Sequence, residues 1–329
     1  MLTDSFNRKI DYLRLSLTDR CNLRCLYCMP QDATFSTPPR EILSDGEILH
    51  LLTCFAELGI SKIRITGGEP LVREGIVRLI HEISEIQGIC DISLSTNGML
   101  LDRMAADLAR AGLKRVNISL DSLNAEKFNR VTRYGKLEAV LSSIESALSV
   151  GLSPVKLNVV VARGMNDDEI GDFVRLTEQR PIHVRFIELM PMGETGFFSK
   201  EKWVAMNDML QKAQPLEEVA KENWPRGDGP ARYFRRPGAQ GSVGFISALS
   251  CGFCTSCNRM RLSSRGILVP CLDAAEGTDL KALLRSGANL RELKEAIFFT
   301  VQRKPERHHM LEKVAANSPN PLQMCQIGG

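Results

Sequence analysis

Strand-like and helix-like runs alternate through about the first 190 residues of the chain, and this alternation is the tightest constraint on its fold. The strand runs are "YLRLSLT" (12–18), "KIRIT" (62–66), "DISLST" (91–96), "RVNISL" (115–120), "VKLNVVV" (155–161) and "IHVRFIEL" (182–189). Helical periodicity fills the gaps, as in "EILHLLTCFAELG" (47–59), where Ile48, Leu51, Leu52, Phe55 and Leu58 share a face. Ser44 and Glu47 carry the spacing of a capping box in front of that helix. Repeated βα units predict an α/β fold with a parallel sheet, closed or open as a barrel. A full eightfold barrel takes ~250 residues, so the expectation is a partial (βα)6 TIM-like barrel over residues 1–190. After Pro191 the pattern changes. "ARYFRRP" and "SVGFIS" read as a short antiparallel pair, followed by a cysteine cluster, helical stretches over 279–302 and an irregular tail. Residues 191–329 are therefore expected to form an α+β extension.

An apolar fraction of 43% over 329 residues is enough to bury a sizeable core. The formal net charge of +3 is too small for a nucleic-acid binder, although local basic clusters suit an anionic small molecule. The first twenty residues are too charged for a signal peptide, and no apolar run reaches transmembrane length. A cytoplasmic protein is expected, in which the ten cysteines are metal ligands or thiols rather than disulfides.

In a parallel barrel the active site lies at the C-terminal ends of the strands. Those ends carry "DRCNLRCLYCMP", "GGEP" (67–70), "STNG" (95–98), "SLDSL" (119–123) and "ELMP" (188–191), while strand five carries Lys156 and Asn158. Cys21, Cys25 and Cys28 are an incomplete set for zinc, which takes four protein ligands or three and a water. None of the five histidines, His50, His81, His183, His308 and His309, stands at a zinc-like spacing from Cys21. A four-iron cubane on three cysteines leaves one iron open, so the missing ligand becomes a binding position. The second group, Cys251, Cys254, Cys257 and Cys271, admits a CxxCxxC reading or a four-cysteine zinc ribbon; position 261, where a ferredoxin run would carry its fourth cysteine, is Arg. Arg14, Arg64, Lys156, Arg259 and Arg261 lie on or beside these motifs. A lone Arg is usually a solvated charge, but five cations beside such motifs suit phosphate groups.

"CNLRCLYC" matches the CxxxCxxC signature of the radical S-adenosylmethionine (SAM) superfamily, and "GGEP" matches its segment for the methionine end of SAM. More narrowly, "YLRLSLTDRCNLRCLYCMP", "RITGGEPLVR", "STNG", "SLDSL", "ELMP", "CNRMRL" and the final "IGG" resemble the GTP 3′,8-cyclase family of molybdenum cofactor biosynthesis over nearly the whole chain. The resemblance implies a [4Fe–4S] cluster on Cys21, Cys25 and Cys28, with SAM contacted by Tyr27, Gly68, Ser119 and Met190. It implies a second [4Fe–4S] cluster on Cys254, Cys257 and Cys271, with Cys251 a bystander and the cluster in contact with the purine. Arg14, Arg64, Ser95, Lys156, Arg259 and Arg261 would hold GTP, and Gly328 and Gly329 would enter the barrel mouth. Two departures from the family pattern stand out: Ser95 replaces Thr, and "PLQMCQIGG" lacks the basic residue expected before its Met. The implied reaction makes a 5′-deoxyadenosyl radical that takes hydrogen from C3′ of GTP, after which the substrate radical adds to C8 of guanine. Also implied are an electron donor, a cyclic pyranopterin monophosphate synthase that receives the product, and a homodimer. The competing readings are a radical SAM peptide-modifying enzyme with an auxiliary cluster and a non-catalytic, zinc-stabilised binding protein.

Overall fold

The computed structural model describes residues 2–33, 37–193, 195–274, 276–316 and 324–328. Strands β1 (Tyr12–Ser16), β2 (Lys62–Thr66), β3 (Asp91–Thr96), β4 (Arg115–Ser119), β5 (Val155–Val161) and β6 (Ile182–Glu188) lie side by side in chain order, each parallel to the next. Helices α1 (Asp45–Glu57), α2 (Ile76–Ser84), α3 (Leu101–Arg110), α4 (Ala125–Thr132), α5 (Leu137–Ser149) and α6 (Ile170–Gln179) form the crossovers. Helix α1 starts where the sequence predicts. The Ser44 hydroxyl accepts from the Glu47 amide at 3.3 Å, and the Glu47 carboxylate accepts from the Ser44 amide at 2.8 Å. Such a cap is worth about 1 kcal/mol. The helix buries Ile48, Leu51, Leu52 and Phe55, each contributing roughly 1.5–3 kcal/mol of transfer free energy. Helix α4 was not anticipated; Asn124 starts it by accepting from the Lys127 amide at 2.9 Å.

Residues beyond 190 extend the same sheet rather than forming a separate one. They supply α7 (Met206–Lys212), β7 (Glu217–Glu218), β8 (Arg232–Arg235), β9 (Ser242–Ile246), β10 (Arg259–Leu262), β11 (Ile267–Val269) and β12 (Thr278–Asp279). Then follow α8 (Leu280–Arg285), α9 (Leu290–Gln302), α10 (Met310–Ala315) and α11 (Met324–Ile327). The strand order is β12-β11-β10-β1-β2-β3-β4-β5-β6-β9-β8-β7, an open sheet whose two ends do not meet. The expected antiparallel pair is β8–β9. Strand β9 also runs parallel beside β6, and β10 runs parallel beside β1. The "CNRMRL" segment, legible only as a motif, is thus a strand that brings its residues to the edge of β1.

The strands alternate strictly. Leu13, Leu15, Ile63, Ile65, Ile92, Leu94, Val116, Ile118, Val155 and Leu157 point to one face and form the main core with the helices. The other face carries Arg14, Lys62, Arg64, Ser93, Ser95, Arg115, Asn117, Ser119, Lys156, Asn158 and Arg185. A parallel sheet normally buries apolar residues on both faces, so this buried polar face marks the site. Among the described residues, no helix is long and apolar enough to cross a membrane.

Candidate active site

The polar face concentrates positive charge. Arg14 stands beside Arg64 in register, Arg64 beside Ser93, and Ser93 beside Arg115. One step along, Ser95, Asn117, Lys156 and His183 are neighbours, then Ser119, Asn158 and Arg185. Arg64 donates from Nε to the Tyr12 hydroxyl at 2.6 Å, and Arg185 donates to Asn158 Oδ1 at 2.6 Å. Yet among the described residues Arg64 Nη1, Arg115 Nε and Arg185 Nε are buried without a hydrogen-bond partner. Arg115 pairs with Asp91, and Lys62 pairs with Asp11 at 3.0 Å and Asp228 at 2.5 Å. Lys156 donates to the carbonyls of Arg226 at 2.7 Å and Pro225 at 3.3 Å, its ammonium lies 5.7 Å from the centre of the Tyr233 ring, and among the described residues no carboxylate forms an ion pair with it. Burial, then the charges of Arg185, Arg64 and Arg115, pull its ammonium down to about 6. Burial also lowers Arg185, with Arg64 acting in the same direction. Burial alone would raise the Tyr12 phenol, but Arg64, Arg14 and Arg259 bring it below its usual value. Unpaired buried cations cost several kcal/mol apiece, and a polyanion would relieve that cost. The segment 225–229 lies directly against them. A Cβ at Gly227 would come within 3.3 Å of Lys156 Nζ, and one at Gly229 within 3.3 Å of Arg185 Nη1.

The first cysteine loop follows β1 and is pinned to the end of α4. Arg24 and Leu26 donate from their amides to the carbonyls of Thr132 (3.1 Å) and Val131 (3.0 Å), and Arg133 donates to the carbonyls of Arg24 and Met29. Cys21 Sγ accepts from the Leu23 amide at 3.4 Å and from Asn97 Nδ2 at 3.8 Å. Burial pushes the Cys21 thiol up to about 11, and burial together with the neighbouring Cys28, Asp121 and Cys21 holds Cys25 well above its usual value. Thiols that oppose one another's ionisation need an added cation to become thiolates. Among the described residues, no three His, Cys, Asp or Glu side chains converge as they would on one metal ion. A cubane needs no such convergence, because each thiolate takes its own iron. Three neighbouring thiols on a single loop therefore fit a [4Fe–4S] cluster.

The "GGEP" segment braces this loop. Gly68 donates to the Thr18 carbonyl at 2.7 Å and Glu69 to the Arg20 carbonyl at 2.8 Å. A Cβ at Gly68 would collide with the Arg20 carbonyl, and Gly67 sits at φ +152° against Thr18. Both glycines are thus required by the chain's own backbone. Glu69 is fully buried and accepts from Thr96 Oγ1 (2.8 Å), the Asn97 amide (2.7 Å) and the Leu71 amide (3.1 Å), while burial pushes it up to about 7. Tyr27 donates to Asp121 Oδ2 at 2.6 Å, and its ring packs near Phe197. Met190 packs against an apolar cluster of Met192, Met310 and Ile327, to which the C-terminal tail contributes Ile327 and Met324. Gly328 continues that tail onto the polar face. Its carbonyl accepts from Arg14 Nε at 3.3 Å and from Arg261 Nη1. Gly329 lies outside the described residues.

The second cysteine loop lies between β9 and β10. Glu188, fully buried at the end of β6, fixes its approach by accepting from the amides of Leu249 (2.7 Å) and Ser250 (3.0 Å). Arg8 donates to the Cys254 carbonyl at 2.8 Å. Burial would raise Cys257, but the charges of Arg259 and Lys304 outweigh it and bring the thiol to about 6. Burial raises Cys271, and Cys257 acts on it as a near neighbour. Cys251 is exposed. Lys62, Arg115, Arg185 and Lys304 went unnoticed in the sequence. The first three could have been found, since each occupies the polar phase of a strand that otherwise alternates with apolar residues. Lys304 gives no such signal.

Residues 15–177 match the radical SAM superfamily, and residues 182–310 match the family described as Molybdenum Cofactor Synthesis C. The chain is 50% identical over 332 residues to the GTP 3′,8-cyclase of Desulforamulus reducens, covering 100% of both chains. It is 49% identical over 329 residues to that of Heliobacterium modesticaldum, again with 100% coverage of both. Among solved structures, Streptococcus suis SuiB bound to S-adenosylmethionine resembles it in fold, with a TM-score of 0.61 at 14% identity over 97% of this chain and 78% of that one.

Proposed function

The chain belongs to the GTP 3′,8-cyclase family within the radical SAM superfamily, and on that footing we propose how its residues serve the cyclisation of GTP in molybdenum cofactor biosynthesis. The observation that carries the proposal is the concentration of buried cations on one sheet face beside two thiol loops, where among the described residues Arg64 Nη1, Arg115 Nε and Arg185 Nε have no hydrogen-bond partner. We read β1–β6 as a partial (βα)6 barrel over residues 1–190, with 191–329 as the extension that completes the site.

Cys21, Cys25 and Cys28 would hold a [4Fe–4S] cluster, which together with SAM would supply the radical chemistry that begins at C3′ of GTP. Tyr27, Gly68, Ser119 and Met190 hold SAM, and the Tyr27–Asp121 hydrogen bond fixes the aromatic ring beside the cysteines. Arg14, Arg64, Lys156, Arg259 and Arg261 hold the triphosphate, with Lys62 and Arg185 added from the geometry and Ser95 on the same face. Lys156 takes up a proton as the polyanion binds, because the phosphates offset the neighbouring cations that suppress its charge. The purine lies toward Cys254, Cys257 and Cys271, which hold the second cluster. The basic face fixes the ribose for attack within the site by positioning and by exclusion of water. An external one-electron donor and a downstream synthase complete the sequence in the cytoplasm, with the chain working as a homodimer.

The test is anaerobic incubation of the reconstituted protein with SAM, a reductant and each nucleoside triphosphate in turn, followed by mass spectrometry. Cyclised product and 5′-deoxyadenosine are expected with GTP alone. Equal turnover of the other triphosphates, or none of GTP, would overturn the reading.

A further inference from the structure

Helix α9 ends at Gln302, and two residues on, Lys304 turns back into the protein. The residue is 3% exposed. Its ammonium donates to the Arg259 carbonyl at 2.8 Å and to the Pro270 carbonyl at 2.6 Å. Arg259 follows Cys257 by two residues, and Pro270 immediately precedes Cys271. One cation thus ties together the two backbone segments that carry these thiols. Burial lowers the Lys304 ammonium below its ordinary value; the thiols of Cys257 and Cys271 act against this and favour the charge, while the guanidinium groups of Arg8 and Arg259 oppose it. Among the described residues no carboxylate pairs with it. A buried ammonium has three donors, and here two are spent on neutral carbonyls. Such a charge is expensive unless an anion balances it.

We propose that Lys304 is a positioning residue of the second thiol site, where its charge helps to assemble an iron–sulfur cluster on Cys254, Cys257 and Cys271 and raises that cluster's reduction potential. The inference rests on the reading above that these three cysteines hold a cluster. The electrostatics follow from charge alone. Three thiolates make the site anionic, reduction adds a further negative charge, and a fixed cation nearby stabilises the reduced state more than the oxidised one. The hydrogen bonds to both ligand segments hold the ammonium at a constant distance, so the effect is built in and does not depend on a mobile counterion.

The experiment uses the full-length chain with Cys21, Cys25 and Cys28 all changed to Ser, so that only the second site can bind a cluster. It is reconstituted anaerobically with iron and sulfide and titrated by potential while electron paramagnetic resonance is followed. If this parent binds no iron and sulfide, the second-cluster reading fails, and the inference fails with it. With a cluster present, Lys304→Gln, which keeps N–H donors but no charge, should shift the oxidised-to-reduced ratio at a fixed potential at least tenfold toward oxidised. That is about 59 mV for a one-electron couple. Lys304→Arg, which keeps the charge, should stay near the parent value. A potential unchanged in Lys304→Gln overturns the proposal, as does an equal shift in both variants, which would mark disturbed packing. If Lys304→Gln cannot retain iron while Lys304→Arg does, the assembly role stands; if neither retains it, charge is not what the site requires and the proposal falls.

Discussion

Arg14 donates from Nε to the carbonyl of Gly328 at 3.3 Å, joining the first strand of the sheet to the last described residue of the chain. Arg261, beside Arg14 in register on β10, donates to the same carbonyl. Gly328 reaches this point at φ +75°, and a Cβ there would collide with Thr66 Cγ2 at the end of β2. The tail therefore threads a gap that only glycine fits, and Gly328 lies against two cations assigned to the triphosphate.

Gly328→Ala should accordingly push the tail out of the mouth while leaving the cysteine loops in place. Iron content and SAM binding are expected to match the wild type. Formation of cyclised nucleotide should fall by at least ~10-fold, a barrier change of about 1.4 kcal/mol. Deleting Gly328 and Gly329 together should do the same. Single-turnover assays under anaerobic conditions measure it, and wild-type rates in both variants would remove the tail from the mechanism.

The choice of ligands in the extension is open to a direct count. Cys257 and Cys271 act on one another electrostatically, whereas Cys251 is exposed. Cys254→Ser or Cys271→Ser should halve the iron per chain, since each site is a separate cubane, and SAM should still bind. Cys251→Ser should keep full iron and activity. The opposite pattern, with iron lost in Cys251→Ser and kept in Cys271→Ser, would show that the CxxCxxC reading was right.

Local rules made β1–β6, helices α1–α3, α5 and α6 and the Ser44–Glu47 cap legible, because hydrophobic period and capping chemistry are written in adjacent residues. The cysteines were legible for the same reason. Strand β10 was not, since its partner β1 lies some 250 residues earlier and nothing local announces a parallel pairing. Arg115 and Arg185 were hidden in a different way. Each looks like an ordinary strand charge until registration with Arg64 and Lys156 shows that the cations share one buried face. The resemblance places Gly68 at SAM, whereas what the structure shows of Gly67 and Gly68 is their close approach to the backbone of Thr18 and Arg20. Lys304 depends on the path of the chain after α9, which no periodicity records.

Arg185 should show opposite effects on folding and on binding. It is buried, it donates to Asn158 and interacts with the Tyr233 hydroxyl, and among the described residues its Nε lacks a hydrogen-bond partner and no carboxylate pairs with it. Arg185→Met removes an uncompensated charge from the apo protein, and replacing such groups by apolar ones often stabilises by ~1 kcal/mol or more. The same change removes a charge-assisted bond to phosphate, costing ~1.5–3 kcal/mol of GTP affinity. Thermal unfolding should therefore move up while GTP binding weakens. A variant that binds GTP as the wild type does would take Arg185 out of the phosphate site, and one that unfolds earlier would show that its charge is already balanced.

Lys156 makes binding pH-dependent in a defined direction. In the free protein burial and then Arg185, Arg64 and Arg115 lower its pKa to about 6 from an ordinary 10.5. Between those values the unfolded chain carries a proton that the folded chain lacks, so stability from this group rises as pH rises through that window. A triphosphate reverses the balance, because its negative charge favours the ammonium. Near pH 8 the phosphates are already ionised, and GTP binding should then draw about one proton from solution. Calorimetric titration in two buffers of different ionisation enthalpy reads this uptake directly as a difference in observed heat. The uptake should vanish in Lys156→Met, which should still bind GTP, though more weakly. GTP affinity of the wild type should also decline as pH rises above about 6, by at most tenfold per unit for a single proton. Identical heats in the two buffers, or an affinity that climbs with pH, would show that Lys156 does not change its charge when the nucleotide arrives.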